Sequence, residues 1–338
     1  MALDIEDPAA LTDYLRRAGH IPAGASPRIS VLAGGVSNRT VLVEHPPAVS
    51  WVLKQALAKL RVQVDWFSDP ARVHREALGL RALPELAPPG SIPALIFEDD
   101  AEHLLAMAAV PQPHANWKQL LLAEGPQPAH VAQFAAILGQ IHARSHDQAG
   151  RFAALFGERG FFESLRIEPY YLYAAQQAPA AADFVAALVA DTRASRLAIV
   201  HGDYSPKNIL VHGGRLILLD HEVIHWGDPA FDVGFALTHL LSKAHHLPAR
   251  RGAFVQAAHA FWSEYSGVVA QRFGANYGQR AARHLAACLL ARVAGRSPLE
   301  YLSADERERQ LRAALGLIAR PPASVPACIS QFIESIAP

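Results

Sequence analysis

The chain has 338 residues, with 31 Lys+Arg against 31 Asp+Glu, 51% hydrophobic and 18% charged residues. At about 100–200 residues per domain this allows two domains, or one domain with two lobes, and it carries enough apolar material for a core to argue against disorder. A formal charge of zero provides no whole-molecule field toward nucleic acid or anionic lipid, so neither is expected as a partner.

In chain order, residues 1–27 read as a helix and then a loop. Leu11, Leu15 and Ala18 share one helical face before GHIPAGASP breaks it. The segment RISVLAGGVSNRTVLVE predicts a strand near Ile29–Leu32, a turn at Gly34 and Gly35, and a strand near Thr40–Val43. WVLKQA follows as a third strand, which makes an antiparallel meander. Residues 70–83 read as a helix with Pro near its start. Residues 92–98 and 103–110 read as two more strands, and PQPHAN reads as a linker. Two domains are therefore expected, 1–110 and 111–338.

The second part reads as mainly helical. Val131, Phe134, Ala135, Leu138, Ile141 and His142 define one face of a long helix, and 180–195 reads as another. Short apolar runs at 197–200, 209–211 and 216–219 flank the polar segment HGDYSPKN, and the helical pattern returns from about 230 to 315.

The residues with chemical potential cluster in IVHGDYSPKNILVHGGRLILLDHEV. Asp203 and Asn208 are five apart on a loop between apolar runs, and Asp220 ends LILLD. Oxygen-bearing side chains delivered to the ends of buried runs suit a hard cation and a hydroxyl substrate. The pattern resembles the kinase catalytic loop, with HGD in place of HRD. With GDPAFD following at 227–232 it resembles the aminoglycoside phosphotransferase-like family, which also holds choline, homoserine and methylthioribose kinases. The D-x-E of Asp220-His221-Glu222 is similar to methylthioribose kinase, whose loop departs at the position of Asn208.

The resemblance implies an α+β, two-lobed, protein-kinase-like fold, with a small antiparallel β-rich N-lobe and a larger helical C-lobe. It implies an ATP- and Mg²⁺-dependent phosphotransferase acting on a hydroxyl of a small molecule, with GTP as the alternative nucleotide. Asp203 is then the catalytic base, and Asn208, Asp220 and Glu222 are metal ligands. Gly34, Gly35, Ser37 and Asn38 lie over the phosphates, Lys54 reaches them, and Glu76 pairs with Lys54. The adenine lies near Met107 and Val110, and Asp232 steadies the catalytic loop. Glu85, the rival acid to Glu76, sits beyond Pro84 and is expected off the helix.

Only five of the 31 basic residues are Lys, which singles out Lys54. His142 and His146 have metal-pair spacing without a third ligand and are read as structural. The acceptor should meet residues 151–195 and 225–265. Residues 151–196 carry five acids and five arginines, a balance that does not suit a polycation. Antibiotic kinase is therefore the alternative acceptor reading, and a non-catalytic nucleotide-binding protein the alternative of another class. Cys288 and Cys328 form no CxxC, which argues against a disulfide scaffold or Cys-based metal site. The start MALDIEDPAA is acidic where a signal peptide is basic, and no apolar run approaches ~18 residues, so a cytoplasmic protein is expected. The sequence does not fix the oligomeric state.

Overall fold

The computed structural model describes residues 3–32, 37–45, 50–61 and 67–336. The chain divides into two compact units. One comprises residues 1–85, 92–112 and 220–222, and the other 86–91, 113–219 and 223–338. Two short segments thus depart from a single cut after residue 110: 86–91 pack with the second unit, and 220–222 with the first.

The first unit is a five-stranded antiparallel sheet with two helices. Its elements are α1 (Pro8–Arg17), β1 (Arg28–Val31), β2 (Asn38–Glu44), β3 (Trp51–Ala56), α2 (Arg72–Leu86), β4 (Leu95–Asp99) and β5 (Leu104–Ala108), in the strand order β1-β2-β3-β5-β4. Strand alternation assigns the faces. Val41, Val43, Trp51 and Leu53 pack with Leu11, Tyr14 and Leu15 of α1 in one core cluster. Lys54, one residue past Leu53, points to the opposite face. There it stands between Thr40 on β2 and Leu105 on β5.

Two details of this unit differ from the sequence reading. Ala18 caps α1 and is exposed, and the buried place expected for it goes to Tyr14. The second helix runs on to Leu86 through Pro84, so Glu85 is helical, although exposed. Proline in the last turn removes only the N–H that would bond four residues back, a loss the end of a helix tolerates. The glycine turn at Gly34 and Gly35 lies outside the described residues.

The second unit is mainly helical, with two small antiparallel sheets. Its strands are β6 (His114–Asn116), β7 (Ala198–Val200), β8 (Ile209–His212), β9 (Arg215–Leu218) and β10 (His225–Gly227). The ladders are β6-β8-β9 and β10-β7. Its early helices are α3 (Trp117–Ala123), α4 (Pro128–Asp147), α5 (Ala149–Leu155), the single turn α6 (Gly160–Phe162), α7 (Tyr173–Gln177) and α8 (Ala182–Ala194). The later ones are α9 (Ala230–His246), α10 (Arg251–Val269), α11 (Tyr277–Ala294), α12 (Ala304–Ala319) and α13 (Val325–Ser335).

All six residues of the predicted α4 face are buried. The PQPHAN segment is not wholly linker, because His114–Asn116 pair with β8. A π-helical stretch, Glu163–Leu172, joins α6 to α7 and contains Pro169. Both cysteines are buried and free. No helix among the described residues is long and apolar enough to cross a membrane. The antiparallel first unit and helical second unit are the fold class expected from sequence.

Candidate active site

The predicted residues fall into two groups, one within each unit. In the first unit, Lys54 Nζ donates to Glu76 Oε1 at 2.7 Å and to Asp220 Oδ1 at 3.3 Å. Glu76 is only 1% exposed and comes from the first turns of α2. Burial alone would lower the Lys54 pKa, but the charges of Glu76 and Asp220 outweigh it, so the ammonium stays protonated well above its ordinary range. Burial pushes the Glu76 carboxyl up, against the pull of Lys54.

Asp220 has φ +70°, a left-handed conformation uncommon outside glycine but best tolerated by Asp and Asn. Such backbone costs free energy and persists where surrounding structure holds it. The holding contacts are visible. Glu222 Oε2 is 3.2 Å from Arg72 Nε and 3.5 Å from Asn38 Nδ2. A Cβ on Gly79 of α2 would lie 2.7 Å from the Cβ of His221, so only glycine lets α2 approach residues 220–222 this closely.

Arg72, fully buried, is the hub of the group. Besides Glu222 it donates to the carbonyls of Ser37, Leu57 (2.9 Å) and Asp69 (3.1 Å). Ser37 Oγ in turn accepts from Asn38 Nδ2 at 3.2 Å. Met107 is buried inside β5, opposite Val52 and Leu95, and Val110 is half-buried just past that strand's end.

In the second unit the HGD tripeptide is held by Asp232. The amides of His201 and Gly202 donate to its two carboxylate oxygens at 2.6 and 2.9 Å, and the Asp203 amide donates to His201 Nδ1 at 3.2 Å. Gly202 has φ +78°, and a Cβ there would lie 2.8 Å from a Val223 methyl. Glycine is therefore required by both conformation and space. Burial raises the Asp232 carboxyl pKa. The bond to His142, the charges of His142 and His201 and the Gly202 amide more than offset it, leaving the group below the ordinary carboxylate range.

His142 is fully buried between Asp232 (3.2 Å) and Tyr265 Oη (2.8 Å), while His146 bonds the Leu197 carbonyl. Both ring nitrogens of His142 are thus engaged in hydrogen bonds. Asp228 caps the start of α9 through the Ala230 amide and pairs with Arg280 at 3.2 Å.

Asp203 is 2% exposed and its Oδ2 collects three partners: Asn208 Nδ2 at 2.9 Å, Arg166 Nη2 at 3.0 Å and Lys207 Nζ at 2.9 Å. Asn208 Nδ2 also donates to the Asp203 carbonyl at 3.0 Å. The amide nitrogen of Asn208 is thus committed to Asp203. Arg166 comes from the π-helical stretch and also donates to the Gly202 carbonyl at 2.7 Å. Neither Arg72 nor Arg166 is singled out by the sequence, where Arg166 enters only a charge balance.

The role of Asp232 gives a stability prediction. Asp232→Asn removes a charge-assisted acceptor from two buried amides and from His142, which should cost about 1–3 kcal/mol. A depressed native pKa contributes stability above the unfolded value of about 3.9, and that contribution is lost as pH falls through the native value. The melting temperature of Asp232→Asn should therefore be several degrees lower at pH 7, and the gap to the parent should narrow below about pH 4. A gap that stays constant with pH would remove the carboxylate from this account.

Comparison with known proteins follows the same lines. A family model described as the phosphotransferase enzyme family matches residues 28–268. No curated protein matches by sequence. Among solved structures, a macrolide 2'-phosphotransferase from Brachybacterium faecium is similar at TM-score 0.51 and 19% identity, covering 93% of this chain and 98% of its own. A choline/ethanolamine kinase family protein from Mesorhizobium loti gives 0.51 and 15%, covering 96% and 99%. An amicoumacin kinase solved with AMP-PNP and Ca²⁺ gives 0.51 and 14%, covering 93% and 96%. At these identities the likeness is one of fold.

Proposed function

The chain belongs to the phosphotransferase enzyme family, and from that premise we propose that it transfers the γ-phosphoryl group of ATP to a hydroxyl of a small molecule with magnesium as cofactor. The observation that carries the reading is the catalytic loop. A buried Asp203 is fixed by Asn208 five residues on and by amides anchored on Asp232, the arrangement a positioned base needs.

In the reaction the acceptor oxygen bonds to the γ-phosphorus, the bond from phosphorus to the β–γ bridging oxygen breaks, and ADP leaves. The hydroxyl proton passes to Asp203. Lys54, kept charged by Glu76, holds the α/β-phosphates. Asp220 and the amide oxygen of Asn208 are hard oxygen donors that fit magnesium, which takes few protein ligands and completes its shell with water and phosphate. When bound, the metal neutralises phosphate charge. Glu222, engaged by Arg72 and Asn38, is assigned to holding residues 220–222 in place.

ATP as the nucleotide is supported by the similar fold solved with AMP-PNP. With Lys54, Asp203, Asn208 and Asp220 all present, a silent nucleotide binder is the weaker reading. The test is ADP release by the purified protein with ATP and Mg²⁺ over a panel of sugars, amino-alcohols, hydroxy acids, aminoglycosides and macrolides. Acceptor-dependent release is expected. No release with any class, together with no binding of AMP-PNP, would refute the reading.

A further inference from the structure

Next to Asp203 the second unit carries cations that the transfer chemistry does not use. Arg166 and Lys207 share the Asp203 carboxylate. The Tyr170 ring lies beside Arg166 and also beside Arg292, with guanidinium carbons 5.4 and 5.6 Å from its centroid. Arg292 Nη1 donates to Tyr170 Oη at 3.0 Å and to Ser297 Oγ at 3.2 Å, while its Nε is buried without a hydrogen-bond partner among the described residues.

On α9, Lys243 is 0% exposed. Among the described residues its ammonium donates only to the His239 carbonyl, at 3.2 Å, and it stands 5.2 Å from the Tyr301 ring centroid. His239 Nε2 and Ser242 Oγ, on the same helix, are also buried without partners among the described residues. Lys118 pairs with Glu300. The acids of this region are already taken, Asp203 by Arg166 and Lys207, and Glu300 by Lys118. Among the described residues neither Arg292 nor Lys243 has a carboxylate within 4.0 Å.

A buried cation without a counter-charge is strongly unfavourable, and such groups are retained where they pair with something. Their charges act on the groups around them. Burial pushes the Tyr170 phenol up, yet Arg292 and Arg166 bring it below its ordinary value. Burial and the charges of Lys118 and Arg292 push the Lys243 ammonium down to about 7, against the pull of Glu300, so the group sheds charge that a bound oxyanion would restore. An aminoglycoside or a quaternary amine would meet repulsion here, whereas an oxyanion would supply the missing counter-charge and accept from Arg292 Nε.

We propose that Arg292 and Lys243 bind an oxyanion carried by the acceptor, a carboxylate or a phosphate monoester, so that the substrate is a hydroxylated acid. This rests on the phosphotransferase reading above. Tyr170, bonded to Arg292 and lying against Arg166, which pairs with Asp203, connects Arg292 to the base that would take the hydroxyl.

The test uses the full chain with Mg²⁺ and AMP-PNP in a calorimeter, and with ATP in an ADP-release assay. The probes are matched: 4-hydroxybutyrate, 1,4-butanediol and 4-amino-1-butanol differ only in terminal charge, and glycerol 3-phosphate is set against glycerol. The acids should bind and react better than their neutral and cationic partners, and the two acid arms tell carboxylate from phosphate. Arg292→Gln and Lys243→Met should each weaken acid binding by about tenfold, the size of one charge-assisted hydrogen bond, with AMP-PNP affinity unchanged. Lys243→Met should also raise the melting temperature of the ligand-free protein, because a buried amine without a counter-charge is replaced by an apolar chain of similar length. A structural lysine would give the opposite sign. Should Lys243→Met fail to fold, Arg292→Gln carries the binding test alone. Preference for the diol or the amino-alcohol, no acid binding with nucleotide binding intact, or unchanged acid affinity in Arg292→Gln each overturns the oxyanion site and leaves the kinase reading standing. Loss of all nucleotide binding and turnover overturns both.

Discussion

Replacing Asp203 by Asn should lower kcat by about 10²–10⁴-fold while leaving nucleotide affinity nearly unchanged, the contribution expected of a positioned general base. The substitution keeps the size of the side chain and removes its charge and its proton-accepting power. Nucleotide contacts should survive because Lys54, Glu76 and Asp220 form their own bonded group in the other unit. The geometry adds a second consequence. Asp203 is the carboxylate that pairs with Arg166 and Lys207, and Arg166 is 7% exposed. Without it the buried Arg166 guanidinium loses a carboxylate partner at 3.0 Å, so the melting temperature should fall as well. Calorimetric titration with AMP-PNP, a turnover assay and a thermal melt separate the effects. Full activity in Asp203→Asn would remove the base assignment. Lost nucleotide binding would make the residue a support of the fold instead.

What the sequence could and could not disclose follows from how each residue does its work. Asp203, Asn208 and Asp220 were legible because their spacing is local and because apolar runs on either side announce the strands that hold them. Lys54 was legible because lysine is scarce here and the residue follows an apolar run on a strand. The alternation of β3 then put it on the face opposite Leu53, where α2 brings Glu76. Arg72 and Arg166 were not legible for the converse reason. With 26 of 31 basic residues arginine, no single arginine stands out. Their importance lies in carbonyls and carboxylates distant in sequence, such as Arg72 with Ser37, Leu57 and Glu222.

The π-helical stretch that carries Arg166 also has no local signature, and Pro169 within it reads as a break. Glu85 departs from expectation because Pro84 reads as a helix end, whereas the helix runs on through it to Leu86. The packing of residues 220–222 with the first unit is a long-range choice, made by Gly79 yielding space to His221 and by Arg72 reaching Glu222. No periodicity could report it.

Asp220→Asn should raise the magnesium concentration needed for half-maximal turnover and cut turnover by at least about 10²-fold. Loss of a residue that merely supports a ligand already costs about 10–100-fold, and loss of a ligand charge should exceed that. Asn is the informative replacement. Asp220 sits at φ +70°, where Ala would add backbone strain of its own, whereas Asn adopts that conformation as readily as Asp. The substitution therefore tests charge without disturbing the turn, and thermal stability should change little. Lys54 keeps its 2.7 Å bond to Glu76, so the ammonium remains charged and part of the nucleotide affinity should persist. A magnesium titration of ADP release, run beside AMP-PNP binding with and without the metal, distinguishes the cases. If magnesium strengthens AMP-PNP binding in the parent and not in Asp220→Asn, the residue is a metal ligand. If turnover and magnesium dependence match the parent, the D-x-E assignment is wrong, and Asp220 serves only to hold Lys54 from its second side.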